Sequence, residues 1–241
     1  MRISRIFTKA PLQPQQRIRL EEKASHHLSK VLRLKVGAEL ILFNGNGDQY
    51  SGIIDAIEKT AVTVHIADCE TPTKESPLRI HLGIAASKGD RMDRIMQKAT
   101  ELGVAEISPL FSERSTIKLN KERLGKKHQH WRQILINTCE QCGRNQLPVL
   151  NQFQPIENWT NSVSADKKFV LHHRSNQKLA SDKAITSAAL LIGPEGGLSD
   201  REIKQAELLE FTALQLGPRV LRTETAPLAV ISVLQYIWGD F

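Results

Sequence analysis

Ile192-Gly193-Pro194-Glu195-Gly196-Gly197 and Leu216-Gly217-Pro218-Arg219-Val220-Leu221-Arg222-Thr223-Glu224-Thr225 are the two stretches that decide the fold. Each follows a short apolar run, Ala189 to Ile192 and Ala213 to Leu216, and each leads into a helical pattern. Strand, glycine loop and helix in that order belong to an open α/β sheet, where ligands sit outside the carboxyl ends of the strands. Glycine there removes the Cβ that would hold the backbone away from a ligand. Two such loops about two dozen residues apart can grip one small molecule through main-chain groups. Taken singly, either loop also reads as an ordinary strand-to-helix connector. The shared Gly-Pro step favours a ligand site.

The loops match no common nucleotide fingerprint. Gly193 to Gly197 lacks the G-x-G-x-x-G spacing, and no Gly-Lys-Ser/Thr triplet is present. Ser199 is placed as an N-cap with Glu202 three residues on, the pattern of a capping box. Asp200 and Glu202 put negative charge into the first helical turn, which would repel a phosphate. A cofactor without a pyrophosphate is indicated.

Outward from the loops, the chain from Leu78 alternates strand and helix. Strands are expected at Arg79–Ala86, Val104–Phe111, Lys168–Leu171, Ala188–Ile192 and Leu214–Leu216. Helices are expected at Asp90–Leu102, Lys121–Cys142, Ser199–Glu210 and Thr225–Trp238, with Gly103 as the stop of the first. Such alternation implies a mostly parallel sheet covered on both faces. Residues 1–72 read differently, as a small β-rich domain with strands at Glu39–Phe43, Gln49–Ile57 and Ala61–Ala67. Asn44-Gly45-Asn46-Gly47 is a hairpin signal, and one helix spans Glu21–Leu34. Short strands around one helix suggest a small barrel. Glu70 to Pro77 reads as the linker, so the expected domains are 1–72 and 73–241.

The chain has 241 residues and a formal charge of +7, with a pI near 9.4. That balance leans toward a polyanionic partner, although a soluble basic protein shows the same. The apolar runs fall short of the ~20 residues that span a bilayer, and no apolar stretch follows the basic amino terminus. A cytoplasmic location is expected. Cys139 and Cys142 form a C-x-x-C without a second pair or a histidine pair to complete a zinc site, and read as buried thiols. His26-His27, His172-His173 and His128/His130 lack acidic companions at matching spacing, so no metal is expected.

The segments "LIGPEGGLSDREI" (191–203) and "LGPRVLRTETAPLA" (216–229) resemble the signature of SPOUT-superfamily RNA methyltransferases. The likeness is strongest to the bacterial family that methylates N3 of a uridine in 16S ribosomal RNA of the small subunit. It extends in order through "HHLSKVLR" (26–33), "KGDRMDRIMQKATELGV" (88–104), "PLFSERS" (109–115) and "CEQCGRNQLP" (139–148). The resemblance implies a SPOUT-type α/β domain with a carboxyl-terminal trefoil knot, preceded by a PUA-like β-barrel. It also implies S-adenosyl-L-methionine as cofactor and a homodimer whose second subunit completes the site. Leu228, Ile231, Leu234 and Tyr236 of the final helix either help form that interface or pack within their own subunit.

By the same resemblance, Ile192, Gly193, Gly196, Gly197, Leu216, Gly217, Val220 and Leu221 enclose the cofactor, Leu171 and His172 form a third wall, and Ala226 packs close to it. Methylation at N3 of uridine needs loss of the imide proton, and the resulting charge spreads onto O2 and O4. A base near the nitrogen and cations near the oxygens suit this chemistry. Glu224 is the candidate base and Arg222 the candidate anion stabiliser; ion pairs that merely fix the loop are the competing reading. Arg2, Arg5, His27 and Arg33, with Lys30 and Lys35, make the first domain the platform for RNA, unless they form only a solvated basic face. Arg114 and Arg144 are further candidates for RNA or subunit contacts.

Overall fold

The computed structural model describes residues 3–115, 120–172 and 184–241, and the statements below concern these. The chain divides into two compact units, Met1–Glu75 with Ile136–Leu147, and Ser76–Leu135 with Pro148–Phe241. A single cut after residue 72 therefore misses the segment 136–147, which belongs to the first unit. Arg2 lies outside the described residues.

The first unit holds a five-stranded sheet in the order β1 (Ser4–Phe7), β3 (Glu39–Phe43), β4 (Gln49–Ile57), β5 (Val62–Glu70), β2 (Arg17–Arg19). β1 runs parallel to β3 and the other pairs are antiparallel. Register shifts in β4 at Tyr50/Gly52 and Ile54/Ala56 are bulges that bend the strand, as a small barrel requires. Ile6, Leu28, Leu40, Leu42, Ile54, Val64 and Ile66 form its core. Helix α1 (Glu22–His26) passes into a π turn over His27–Val31, closed by Leu32 N–H donating to the His27 carbonyl at 2.9 Å. The expected run to Leu34 stops early because Arg33 takes a left-handed φ of +53°. A glycine or asparagine is usual at that position, so the sequence carried no stop signal.

Residues 136–147 pack onto this sheet. Gln146 bridges Gly45 and Asn46 of the β3–β4 turn, and the Phe7 N–H donates to Glu140 Oε1 at 2.9 Å. Burial pushes the Glu140 carboxyl above the usual carboxylate range, while the Phe7 N–H and nearby His27 and Lys23 pull the other way. Burial likewise pushes the Cys139 thiol up to about 12, which keeps it inert.

The second unit is built on a seven-stranded, wholly parallel sheet in the order β12 (Thr212–Leu214), β10 (Lys167–Leu171), β11 (Ser187–Ile192), β6 (Arg79–Ala85), β7 (Glu106–Phe111), β8 (Val149–Leu150), with β9 (Gln154–Pro155) also on β7. Both faces are covered, which explains the unbroken apolar run of β11. Ala188, Leu190 and Ile192 meet α2 (Arg91–Glu101), α3 (Lys121–Cys142) and α6 (Thr225–Trp238) on one face. Ala189 and Leu191 meet α4 (Ile156–Ser162) and α5 (Asp200–Leu208) on the other. Ile231 and Leu234 are buried in this core and Leu228 is half-buried, so of the four α6 positions only Tyr236 is fully turned to solvent. The last strand was expected at 214–216 but spans 212–214, leaving Gln215 and Leu216 to the loop.

A partly buried polar network ties β6 to β7 and α4. Trp159 Nε1–H donates to His81 Nε2 at 3.0 Å, and Ser108 Oγ lies 2.9 Å from the same nitrogen. Trp159 also fills the space over Gly83, where a Cβ would stand 2.6 Å from the indole. Burial lowers the His81 pKa from 6.5, Glu106 opposes, and Arg79 adds to the lowering. The unfolded chain therefore binds the extra proton first, so this stability is full above about pH 6.5 and is lost as pH falls below it. Denaturant unfolding at pH 7.5 and 5 should show a steeper loss for the parent than for His81→Gln. Equal losses would mean that the ring is protonated as readily in the folded state.

Candidate active site

The three strands β10, β11 and β12 end side by side, and the chain leaving each of them wraps one cavity of about 250 Å³. Leu171 and His172 contribute the wall after β10. The His172 N–H donates to the Leu214 carbonyl at 3.1 Å, carrying the β10–β12 pairing one residue past the strand. Ile192, Gly193, Gly196 and Gly197 form the wall after β11, and Leu216, Gly217, Val220 and Leu221 the wall after β12. Ala226, in the first turn of α6, completes the lining. Every residue assigned to the cofactor from the sequence thus faces the same space. Glu195, Gln215, Arg219 and Thr223 also line it and were not assigned to the cofactor, although all four sit inside or beside the two quoted loops.

The glycines perform different tasks. Gly193 allows the first loop to fold tightly: a Cβ there would stand 2.9 Å from the Leu198 nitrogen and 3.0 Å from the Gly197 carbonyl carbon. Gly197 and Gly217 adopt φ of +69° and +71°, a region that L side chains rarely adopt. Neither has any protein atom within 4 Å of a built Cβ. The space before them is open, as a cradle for a ligand must be. The Gly197 N–H closes the turn on the Pro194 carbonyl at 2.9 Å, and the expected capping box follows: Ser199 Oγ accepts the Glu202 N–H at 3.1 Å while Glu202 Oε2 accepts the Ser199 N–H at 2.8 Å.

Two neighbours buttress the first loop. Arg114 Nη1 donates to the Gly196 carbonyl at 3.0 Å, and Glu202 Oε1 accepts the Glu113 N–H at 2.9 Å. Arg114 therefore braces the cavity wall with an exposed guanidinium, where only RNA or subunit contact was expected of it.

Glu224 is the N-cap residue of α6, yet its side chain does not cap the helix. Its Oε2 lies 3.5 Å from Arg91 Nε, and the Arg91 Nη1 also bonds Glu195 Oε1. The ion-pair reading of Glu224 holds in part, with a partner that no local pattern indicated. Arg91 lies in the 88–104 segment, more than a hundred residues from both carboxylates in sequence. Glu195 is partly desolvated, which raises its pKa, but its own N–H, the Lys88 N–H and Arg91 outweigh this and hold it below the usual carboxylate range. Arg222 is exposed and does not line the cavity; its carbonyl accepts the Thr225 and Ala226 N–H groups, both at 2.9 Å, and so starts α6. Arg219, which does line the cavity, is the better placed cation.

The basic residues of the first unit separate into two kinds. Arg33 is exposed together with Lys30 and Lys35, and His27 is half-buried in the π turn. Arg5 is instead engaged within the unit, bonding Gln49 Oε1 at 2.9 Å and Asn145 Oδ1 and stacking 5.4 Å over the Phe43 ring. Arg144 is buried and forks onto both carboxylate oxygens of Glu75, with Nε at 3.1 Å from Oε1. Arg5, half-buried, and Arg144, buried, are therefore engaged as ties within the unit, whereas Arg33 is exposed. A cation in sequence does not reveal which carboxylate or carbonyl the fold will bring to it.

The family model for an RNA methyltransferase domain matches residues 74–235, and that for an RNA methyltransferase PUA domain matches residues 20–67. The chain belongs to this family. The methyltransferase is 37% identical to ribosomal RNA small subunit methyltransferase E of Buchnera aphidicola subsp. Schizaphis graminum, covering 99% of this chain and 98% of that protein. Among solved structures, a Legionella pneumophila methyltransferase in complex with SAM is 42% identical with a TM-score of 0.94, each chain covered in full. Ribosomal RNA small subunit methyltransferase E from Neisseria gonorrhoeae, bound to S-adenosyl methionine, is 34% identical with a TM-score of 0.93, again over the whole of both chains. The SPOUT-type α/β unit and the PUA-like unit expected from the motifs are the architecture of this methyltransferase.

Proposed function

We propose that this chain transfers the methyl group of S-adenosylmethionine to N3 of a uridine in 16S ribosomal RNA of the small subunit. The observation that carries the reading is the single cavity at the carboxyl ends of β10, β11 and β12, walled by both glycine loops. Gly197 and Gly217 both line it, and no protein atom lies within 4 Å of a Cβ built at either position, which suits a ligand held by main-chain groups. Two close structural relatives carry the same cofactor. When bound, S-adenosylmethionine supplies an electrophilic methyl group.

The chain's own residues do the rest. Ile192, Gly193, Leu216 and Gly217 bind and orient the cofactor, and the apolar Leu171 and Leu214 side chains exclude water. Glu224 takes the imide proton from N3. Arg219 and Arg222 stabilise the charge that develops on O2 and O4. N3 lies on the pairing edge of uracil, so the target must be unpaired or flipped out before it can react. Arg33, Lys30 and Lys35 hold the RNA backbone, and a second copy of the chain completes the site.

Nucleoside analysis of 16S RNA from cells with and without the protein tests the product. N3-methyluridine should vanish with the protein; loss of an alkali-resistant 2′-O-methylated dinucleotide in its place would assign ribose 2′-O methylation instead. The RNA surface is tested separately. Arg33→Ala should weaken binding to small subunits and reduce the slope of log K against log salt by about one unit, leaving cofactor affinity unchanged. An unaltered slope would remove Arg33 from the interface.

A further inference from the structure

We propose that Arg91 is a positioning residue that locks the two glycine loops to each other beside the cofactor cavity and holds Glu224 in its working position. The inference deepens the reading above and rests on it for the role of Glu224.

Arg91 opens α2, where the helix dipole is unfavourable to a cation, so the dipole does not account for it there. Its guanidinium forks instead. Nη1 takes Glu195 of the first loop and Nε faces Glu224, which follows Thr223 of the second. Glu195 and Thr223 both line the cavity, so one side chain from a third element restrains two of its walls. The Lys88 N–H donates to the same Glu195 oxygen at 3.1 Å, which fixes the entry to α2 against the first loop. A lysine in this place would present a compact point charge without the planar fork whose Nη1 and Nε reach the two carboxylates separately. Glu224 makes no capping hydrogen bond to α6, and among the described residues its carboxylate faces Arg91 Nε at 3.5 Å, the contact through which Arg91 sets its place.

The test is a pair of double-mutant cycles on the full chain, with cofactor affinity read by calorimetry using S-adenosylmethionine. The methylation rate is read in single turnovers at saturating cofactor on small subunits purified from cells lacking the protein. R91Q should weaken cofactor binding and slow methylation, each by about tenfold, within the range of coupling seen for residues in direct contact. R91Q/E224Q should be no slower than E224Q, and R91Q/E195Q should bind cofactor no worse than R91Q. R91K should recover part of either loss. Effects that multiply in both cycles, or an R91Q protein within twofold of the parent in both readouts, would overturn the proposal. If E224Q itself is fully active, the base assignment fails while the lock is still judged by the Glu195 cycle. Should R91Q lose its native circular dichroism, R91K carries both cycles.

Discussion

Gly217→Val is expected to abolish S-adenosylmethionine binding while leaving the protein folded. Two effects act together. Gly217 holds φ at +71°, where a β-branched residue is strongly disfavoured, and left-handed backbone costs an L-residue roughly 1–2 kcal/mol. The added side chain also meets no protein atom within 4 Å of its first carbon, and Gly217 lines the cavity, so the expected cost falls on the cofactor more than on the packing of the protein. The backbone strain acts on the folded protein with or without ligand, so the loss of affinity rests on the bulk of the side chain. A binding penalty of about 3 kcal/mol corresponds to a loss of more than a hundredfold. Gly217→Ala shares the strain with less bulk and should fall between. Calorimetry with the metal-free protein measures both, with circular dichroism as the control for folding. Unchanged affinity in the valine variant would mean that the second loop does not hold the cofactor.

Glu224→Gln should slow methylation by about a hundredfold at saturating RNA and cofactor, the scale of a removed general base. Glutamine keeps the size and a hydrogen-bonding oxygen but cannot accept the proton. Cofactor affinity should change little, because Glu224 stands next to the lining residues and is not one of them. The separation of rate from affinity is what marks a group acting on the acceptor. A variant as fast as the parent would leave Glu224 with its other contact alone, the ion pair to Arg91 at 3.5 Å. In that case Arg222, which is exposed beside the same turn, would lose its suggested role as well.

Periodicity and punctuation in the sequence were enough for the main elements. Gln49–Ile57, Lys121–Cys142 and Thr225–Trp238 lie where alternation or a continuous helical face puts them, because burial of one face is a local property of the pattern. The cavity wall was legible for the same reason. Gly193, Gly197 and Gly217 are needed for backbone paths that only glycine follows easily, and the loops carrying them are continuous in sequence. The short elements were not legible. β1, β2, β8, β9 and α4 are two to seven residues long, and their strands exist because a neighbouring strand supplies the hydrogen bonds.

Charge was the least readable feature. Arg5, Arg33 and Arg144 look alike in sequence, yet the fold gives Arg144 to Glu75 and Arg5 to Gln49 and Asn145, and leaves Arg33 at the surface. The motif that contains Arg91 was visible, but its partners Glu195 and Glu224 come from two other loops. Long side chains find partners through space, over separations that no spacing rule covers. By itself, therefore, the sequence determined which backbone segments surround the cavity, and only the tertiary structure decided which charged groups work together beside it.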